Sequence, residues 1–270
     1  MGGPTKFVIV AGPRTGSTFL VDYLDRVPGT RCWSELFRND HIDLRRHRPS
    51  DPRLQDIAFR DAQPAEFVRR LAADAKDCRA FGFKLIGHQI PKLGSQLIQE
   101  IFGGPDWRKI YLWREDLFEQ SVSYALAAKH FGEGVWERTP DEFRIRISPK
   151  QLLECLHVVQ TTYFIIESVL ANCDGTDLLA LNYDELGHAP SIRRLLRFLG
   201  LPKAPAGRTI ADAPRSGLDF KPGPPLAARI ENYDEIRRFF LNSRYRRLLR
   251  HSMPATAGAA AYPFANRIRG

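Results

Sequence analysis

Residues 8–20 read VIVAGPRTGSTFL. A β-branched, mostly apolar run that ends at glycine predicts a buried parallel strand over residues 6–10. After the turn, Phe19, Leu20, Tyr23 and Leu24 share one face of a helix expected over 17–26. The stretch is therefore strand, tight turn and helix, the opening of a βαβ unit. Such a turn aims backbone N–H groups and the positive end of a helix at one point, which suits an anion. Gly12 and Gly16 permit close backbone approach. Arg14 adds a guanidinium fork that can pair two anionic oxygens, and Ser17 and Thr18 add hydroxyl donors at the helix start. The nucleotide loop GxxxxGK[ST] needs a lysine for its phosphates. Here Ser17 stands in the lysine's place, and the loop is one residue shorter. A plain strand-to-helix turn with Ser17 as N-cap is the other reading of this stretch.

Working outward, AFGFKLI over 80–86, KIYLW over 109–113 and DLLAL over 177–181 read as further strands. Helical spacing covers 64–76, 95–102, 116–129, 149–172 and 190–199. Strands alternating with helices predict an α/β fold: a three-layer, P-loop-like architecture with a central parallel sheet flanked by helices. One domain over 1–270 is expected. Within it, residues 202–225 carry six prolines and read as a long loop, a lid or binding segment. A basic helix over 233–250 should half-bury Phe239, Leu241, Tyr245 and Leu248. The alanine-rich tail, 251–270, reads as loosely packed.

The chain has 270 residues, 43% of them hydrophobic, and 40 Lys+Arg against 31 Asp+Glu, a net charge of +9. That balance implies either an anionic partner or solvated arginine-rich helices. Nucleic acid is not the expected partner, because that reading of the basic helix needs interleaved base-stacking aromatics set in a groove, and an amphipathic surface helix accounts for the segment. Cys32, Cys78, Cys155 and Cys173 are scattered, with no spacing for zinc and no demand for disulfides. No apolar run approaches the ~18 residues of a membrane span, and the N-terminal run is too short for a signal peptide. Lys6 breaks the myristoylation pattern. A cytoplasmic protein is the expectation.

A second basic position follows the strand at 109–113. Its tip carries Arg114-Glu115-Asp116, and the next helix carries Gln120-Ser121-Val122-Ser123. A Walker enzyme would end such a strand in a metal-binding Asp. A cation there suits a second anionic group, and Ser123 can face the same ligand if the loop folds back.

Together the two sites resemble the sulfotransferases that use 3′-phosphoadenosine 5′-phosphosulfate (PAPS). In that family a PRxGST loop holds the 5′-phosphosulfate, matched here by Pro13-Arg14-Thr15-Gly16-Ser17-Thr18. A strand-tip Arg and a helix Ser hold the 3′-phosphate, matched by Arg114 and Ser123. The form REDxxxQxVS is similar to the trehalose 2-sulfotransferase branch and its bacterial carbohydrate-modifying relatives, including the nodulation-type enzymes. Asn182-Tyr183-Asp184-Glu185-Leu186, the later FLGLP and the NYDE at 232–235 fit as well.

The resemblance implies O-sulfation of a small-molecule, saccharide or glycolipid acceptor, with adenosine 3′,5′-bisphosphate as product and no metal. It points to Glu35, in Cys32-Trp33-Ser34-Glu35-Leu36-Phe37, as general base. Neighbouring Trp33 and Phe37 would desolvate that carboxylate and raise its pKa. A surface Glu paired with Arg31 or Arg38 is the bland alternative. His88, after the strand at 80–86, is the rival base, since histidine serves in the animal enzymes. Lys84 is costly to bury unless it pairs with an anion; it faces either the reacting group or, as an edge-strand lysine, water. Lys221 is a candidate cofactor contact. The resembled bacterial enzymes include dimers, which makes a homodimer one expected state. A P-loop kinase, and a nucleotide-binding protein without catalysis, are the competing classes.

Overall fold

The computed structural model describes residues 3–132, 141–171, 173, 177–202 and 224–249. The opening strand forms as β1 (Thr5–Ala11), and Phe7 to Ala11 are fully buried. It is the centre of a five-stranded parallel sheet with β2 (Thr30–Glu35), β3 (Ala80–Ile86), β4 (Trp107–Trp113) and β5 (Leu178–Asn182), in the order β2-β3-β1-β4-β5. The chain moves outward from β1 to β2, returns to β3, then crosses to β4 on the other side. The crevice beyond the carboxyl end of β1 is thus the switch point at which parallel α/β sheets hold ligands.

Alternation along the strands builds the layers. Val8, Val10, Phe81, Phe83, Leu85 and Tyr111 face one core, shared with α2 (Ile57–Ala62), α3 (Pro64–Asp74), α4 (Gly94–Phe102), α5 (Leu117–Phe131), α6 (Pro149–Leu170), α8 (Leu226–Arg229) and α9 (Tyr233–Leu241). Phe7, Ile9, Ala11, Ile110 and Leu112 face the other, under α1 (Ser17–Leu24) and α7 (Ala189–Phe198). Each fully buried Phe or Leu contributes about 1.5–3 kcal/mol, so two such cores stabilise the sheet from both sides. The expected α/β, three-layer arrangement is therefore the observed one. The long helix α6 begins where its sequence directs: Ser148 caps it, Pro149 occupies the first turn, and Gln151 returns the capping bond.

Three readings change. The strand β2 was not anticipated, because Thr30, Arg31, Ser34 and Glu35 interrupt its apolar run and it is an edge strand. On α1 the buried apolar residues are Leu20, Val21 and Leu24, while Phe19 and Tyr23 lie half-buried and stack on each other. The basic helix ends at Leu241, followed by a 3-10 turn at Arg244–Leu248. It buries Ile236 and Phe240 and leaves Phe239, Leu241 and Leu248 exposed. Most of the proline-rich segment and the tail lie outside the described residues. Among the described residues, no helix is long and apolar enough to cross a membrane, and all four cysteines are free thiols.

Candidate active site

The turn after β1 is built from unusual backbone. Gly16 (φ 76°) is the N-cap of α1, and Arg14 holds φ 60°, a left-handed conformation that a side-chain-bearing residue adopts at a cost. Thr15 is fully buried and donates its hydroxyl to the Gly12 carbonyl at 2.8 Å, which closes the turn from inside. Ser17 is nearly buried at the helix start, so the expected N-cap role passes to Gly16. Pro13, Arg14, Ser17 and Thr18 line a cavity of about 510 Å³.

Glu35, Lys84 and His88 line the same cavity. Lys84 is 3% exposed. Its partners in sequence, Phe83 and Leu85, point to the opposite core, which leaves Lys84 on the α1 side of the sheet. There its Nζ lies 2.9 Å from Glu35 Oε1 and 3.2 Å from Thr18 Oγ1. The other Glu35 oxygen accepts from Gln89 Nε2 at 2.7 Å. Gln89 is itself fixed, since its Oε1 accepts the Ile86 N–H at 3.1 Å. A shift in the β2–β3 register between Trp33 and Glu35 sets Glu35, rather than Ser34, opposite Lys84. An irregularity of this kind re-aims a side chain at a strand end.

The pairing corrects two expectations. Glu35 joins neither Arg31, which binds Asp74, nor Arg38, which binds Asp40. Nor is its pKa raised. Burial does push it up, but the charge and hydrogen bond of Lys84, the Gln89 hydrogen bond and Arg38 together hold it below the ordinary value. The carboxylate is therefore ionised and ready to accept a proton at neutral pH. His88 opens on the cavity from the 3-10 turn Gly87–Leu93; desolvation lowers its pKa, Glu35 opposes that, and Lys92 and Arg38 add to it. The imidazole is thus neutral at pH 7.

The second cationic position lies beside the first. Arg114 is half-buried at the end of β4, with its guanidinium carbon 4.5 Å from the centre of the Tyr183 ring. Arg14 Nε donates to Ser123 Oγ at 3.2 Å, so the loop arginine and the α5 serine, 109 residues apart, meet directly. Burial depresses the Arg14 pKa first; Tyr183 counters this, while Arg114 and Arg229 depress it further. Arg114 and Arg229 each act on Arg14 as like charges, a repulsion that an anion at the loop would relieve. Arg114 and Ser123 do not line the cavity that holds Glu35, so the positions form two adjoining parts. Lys221 lies outside the described residues.

Four participants were not singled out from sequence. Gln89 and Arg229 lie in stretches with no distinguishing pattern. Gln120, fully buried, and Tyr163, 2% exposed, join the two parts by hydrogen bonds; of these only Gln120 stands inside a quoted motif. Among the described residues no group of three or more His, Cys, Asp or Glu side chains is gathered as metal ligands.

The parallel sheet thus brings the Arg14 loop, the Arg114 strand tip and the Glu35 carboxylate to the carboxyl ends of its strands. The model of the Stf0 sulphotransferase family matches residues 6–153, more than half of the chain, and the protein belongs to that family. The fold is similar to that of a sulfotransferase from Alicyclobacillus acidocaldarius, at 14% identity and TM-score 0.50, over 92% of this chain and 96% of that one. Sulfotransferase STF9 from Mycobacterium avium aligns at 12% identity and TM-score 0.49, over 90% of this chain and 76% of that one. No curated protein sequence matches the chain.

Proposed function

We propose that this sulfotransferase takes its sulfuryl group from PAPS and transfers it to a hydroxyl of a small-molecule or carbohydrate acceptor, with Glu35 as general base and without a metal. The observation that carries the reading is that Arg14, on its left-handed loop after β1, meets Ser123 Oγ of α5 at 3.2 Å, with Arg114 at the tip of the neighbouring strand β4. Two anionic groups on one ligand, a phosphosulfate and a separate phosphate, match two adjoining cationic positions. Arg14, Ser17, Thr18 and the loop amides would hold the first, and Arg114 with Ser123 the second. PAPS supplies an activated sulfuryl group whose transfer rests mainly on positioning and charge stabilisation.

The residues of this chain then have separable tasks. Lys84 sits between Glu35 and Thr18, where it helps hold the carboxylate pKa down and adds positive charge next to the loop. Gln89 holds the second carboxylate oxygen, so the base has one orientation. Each Glu35 oxygen keeps a lone pair for the acceptor proton. Phe37, Tyr124 and Val158 add apolar surface to a cavity also lined by Asn39 and Asp40, a mixture suited to a sugar or a glycosylated natural product. A single domain over 1–270, a cytoplasmic location and a homodimer go with the same reading.

The test is calorimetric titration with adenosine 3′,5′-bisphosphate in EDTA, on wild type, Arg14→Ala and Arg114→Ala. Binding without metal, weakened at least tenfold by each change, is the expected result; tenfold corresponds to one lost charge-assisted contact of about 1.4 kcal/mol. No binding, or binding only of ATP with Mg²⁺, overturns the PAPS assignment.

A further inference from the structure

The two cationic positions are connected through the protein interior. The Arg114 backbone N–H donates to the Tyr163 hydroxyl at 3.0 Å. Tyr163 donates its own proton to Gln120 Oε1 at 3.0 Å, and Gln120 Nε2 donates to the Pro13 carbonyl at 2.6 Å. Donor and acceptor alternate along this path. The tyrosine oxygen accepts from a backbone amide, its proton then goes to the glutamine oxygen, and the glutamine NH₂ faces the proline carbonyl. Burial raises the Tyr163 pKa, so the hydroxyl stays protonated and the path stays intact across physiological pH. Gly12 leaves room for it: a Cβ there would lie 3.0 Å from Tyr163 Cζ and 3.1 Å from Gln120 Nε2.

The path controls orientation at both ends. A trans peptide sets its C=O and N–H on opposite sides. Anchoring the Pro13 carbonyl inward on Gln120 therefore turns the Arg14 N–H outward. The same anchor steadies the left-handed Arg14 (φ 60°), a conformation that persists only where its surroundings over-determine it. At the far end, Tyr163 fixes the first residue beyond β4, from which the Arg114 side chain departs.

We propose that Gln120 and Tyr163 are positioning residues that lock the Arg14 loop and the Arg114 strand tip at one separation, so that the protein recognises the two anionic groups of its nucleotide as a single unit. The inference rests on the nucleotide reading above. Neither residue touches the ligand; each acts through backbone.

The experiment compares a two-anion probe, adenosine 3′,5′-bisphosphate, with a one-anion probe, adenosine 5′-monophosphate, by calorimetry on wild type, Tyr163→Phe, Gln120→Met and the double variant. Each single change should weaken the bisphosphate about tenfold and the monophosphate by less than about threefold, the effect of one lost buried hydrogen bond. The double variant should lose no more than the worse single one, because both residues act as one path. A merely structural role would lower the thermal midpoint and leave the ratio of the two affinities unchanged. That unchanged ratio, or additive losses, overturns the inference while the nucleotide reading stands. Failure of wild type to bind the bisphosphate overturns both. Should Gln120→Met not fold, Tyr163→Phe, which removes one oxygen and keeps the ring, decides by its affinity ratio alone.

Discussion

Lys84 Nζ lies 2.9 Å from Glu35 Oε1 inside the cavity, on the α1 side of the sheet. The lysine opposes the burial that pushes the Glu35 pKa up. Replacing Lys84 with Met should let burial act with less opposition and raise the Glu35 pKa. The acid limb of the kcat/KM profile should then move to higher pH, with activity at neutral pH reduced. A limb that stays in its wild-type place would show that Lys84 does not tune the base. Breaking the pair should also lower stability by about 3 kcal/mol, measurable by urea unfolding.

The depressed Glu35 pKa carries a stability consequence of definite sign. A carboxylate whose folded pKa lies below its ordinary 4.5 contributes stability above that value. The contribution fades as the pH falls through the folded pKa. Wild type should therefore exceed Glu35→Gln in thermal midpoint near neutral pH, and the gap should shrink on acidification. A gap that widens towards low pH would contradict the ionised, paired carboxylate.

Glu35 and His88 face the same cavity, but only Glu35 is held at both polar atoms, by Lys84 and Gln89. Glu35→Gln should lower kcat about 10²–10⁴-fold, the usual worth of a general base. His88→Asn, assayed with the same acceptor, should lower it less than about tenfold, a change in shape and polarity rather than the loss of the base. The reverse ranking would transfer the role to His88.

Gly12 abuts the Tyr163 ring and the Gln120 amide. Both neighbours are buried and hydrogen-bonded, so they have little freedom to retreat. Gly12→Ala should lower stability by about 1–3 kcal/mol, as overpacking does, and weaken binding of adenosine 3′,5′-bisphosphate. An alanine variant with wild-type unfolding and binding would show that the contact relaxes freely.

Asp25, 7% exposed, gathers the loop that follows β2. Its Oδ1 accepts the Cys32 N–H at 3.0 Å and meets His47 Nε2 at 2.5 Å, and its Oδ2 lies 2.8 Å from Arg46 Nε. Asp25→Asn keeps the shape and removes the charge. It should cost about 2 kcal/mol in unfolding free energy, the scale of a charge-assisted bond, and increase proteolysis over 36–50. Unchanged cleavage there would mean that the loop is held by other contacts.

Much of this architecture was legible along the chain because it is written in local pattern. Short apolar runs mark β1, β3, β4 and β5, and the GPRTGST turn marks the anion loop, since strand period and turn chemistry act over a few residues. The edge strand β2 was not legible: its Thr, Arg, Ser and Glu residues carry no continuous apolar signal, and pairing with β3 is what makes it a strand. The candidate base divides the same way. A family-like stretch marks Glu35, but Trp33 and Phe37 alone imply a raised pKa, whereas Lys84 and Gln89 help hold it below the ordinary value. A register shift in β2 and the side of β3 that Lys84 occupies set the sign of its pKa change.

The α/β order, the anion loop and the two arginines are readable along the chain, because each depends on neighbouring residues. The meeting of Arg14 with Ser123, the hold of Lys84 on Glu35, and the join that Gln120 and Tyr163 make between the two positions arise from packing. Those contacts span tens to more than a hundred residues. Their energies depend on burial and on distances of a few ångströms, which come into being when the sheet closes its register and the helices cover it.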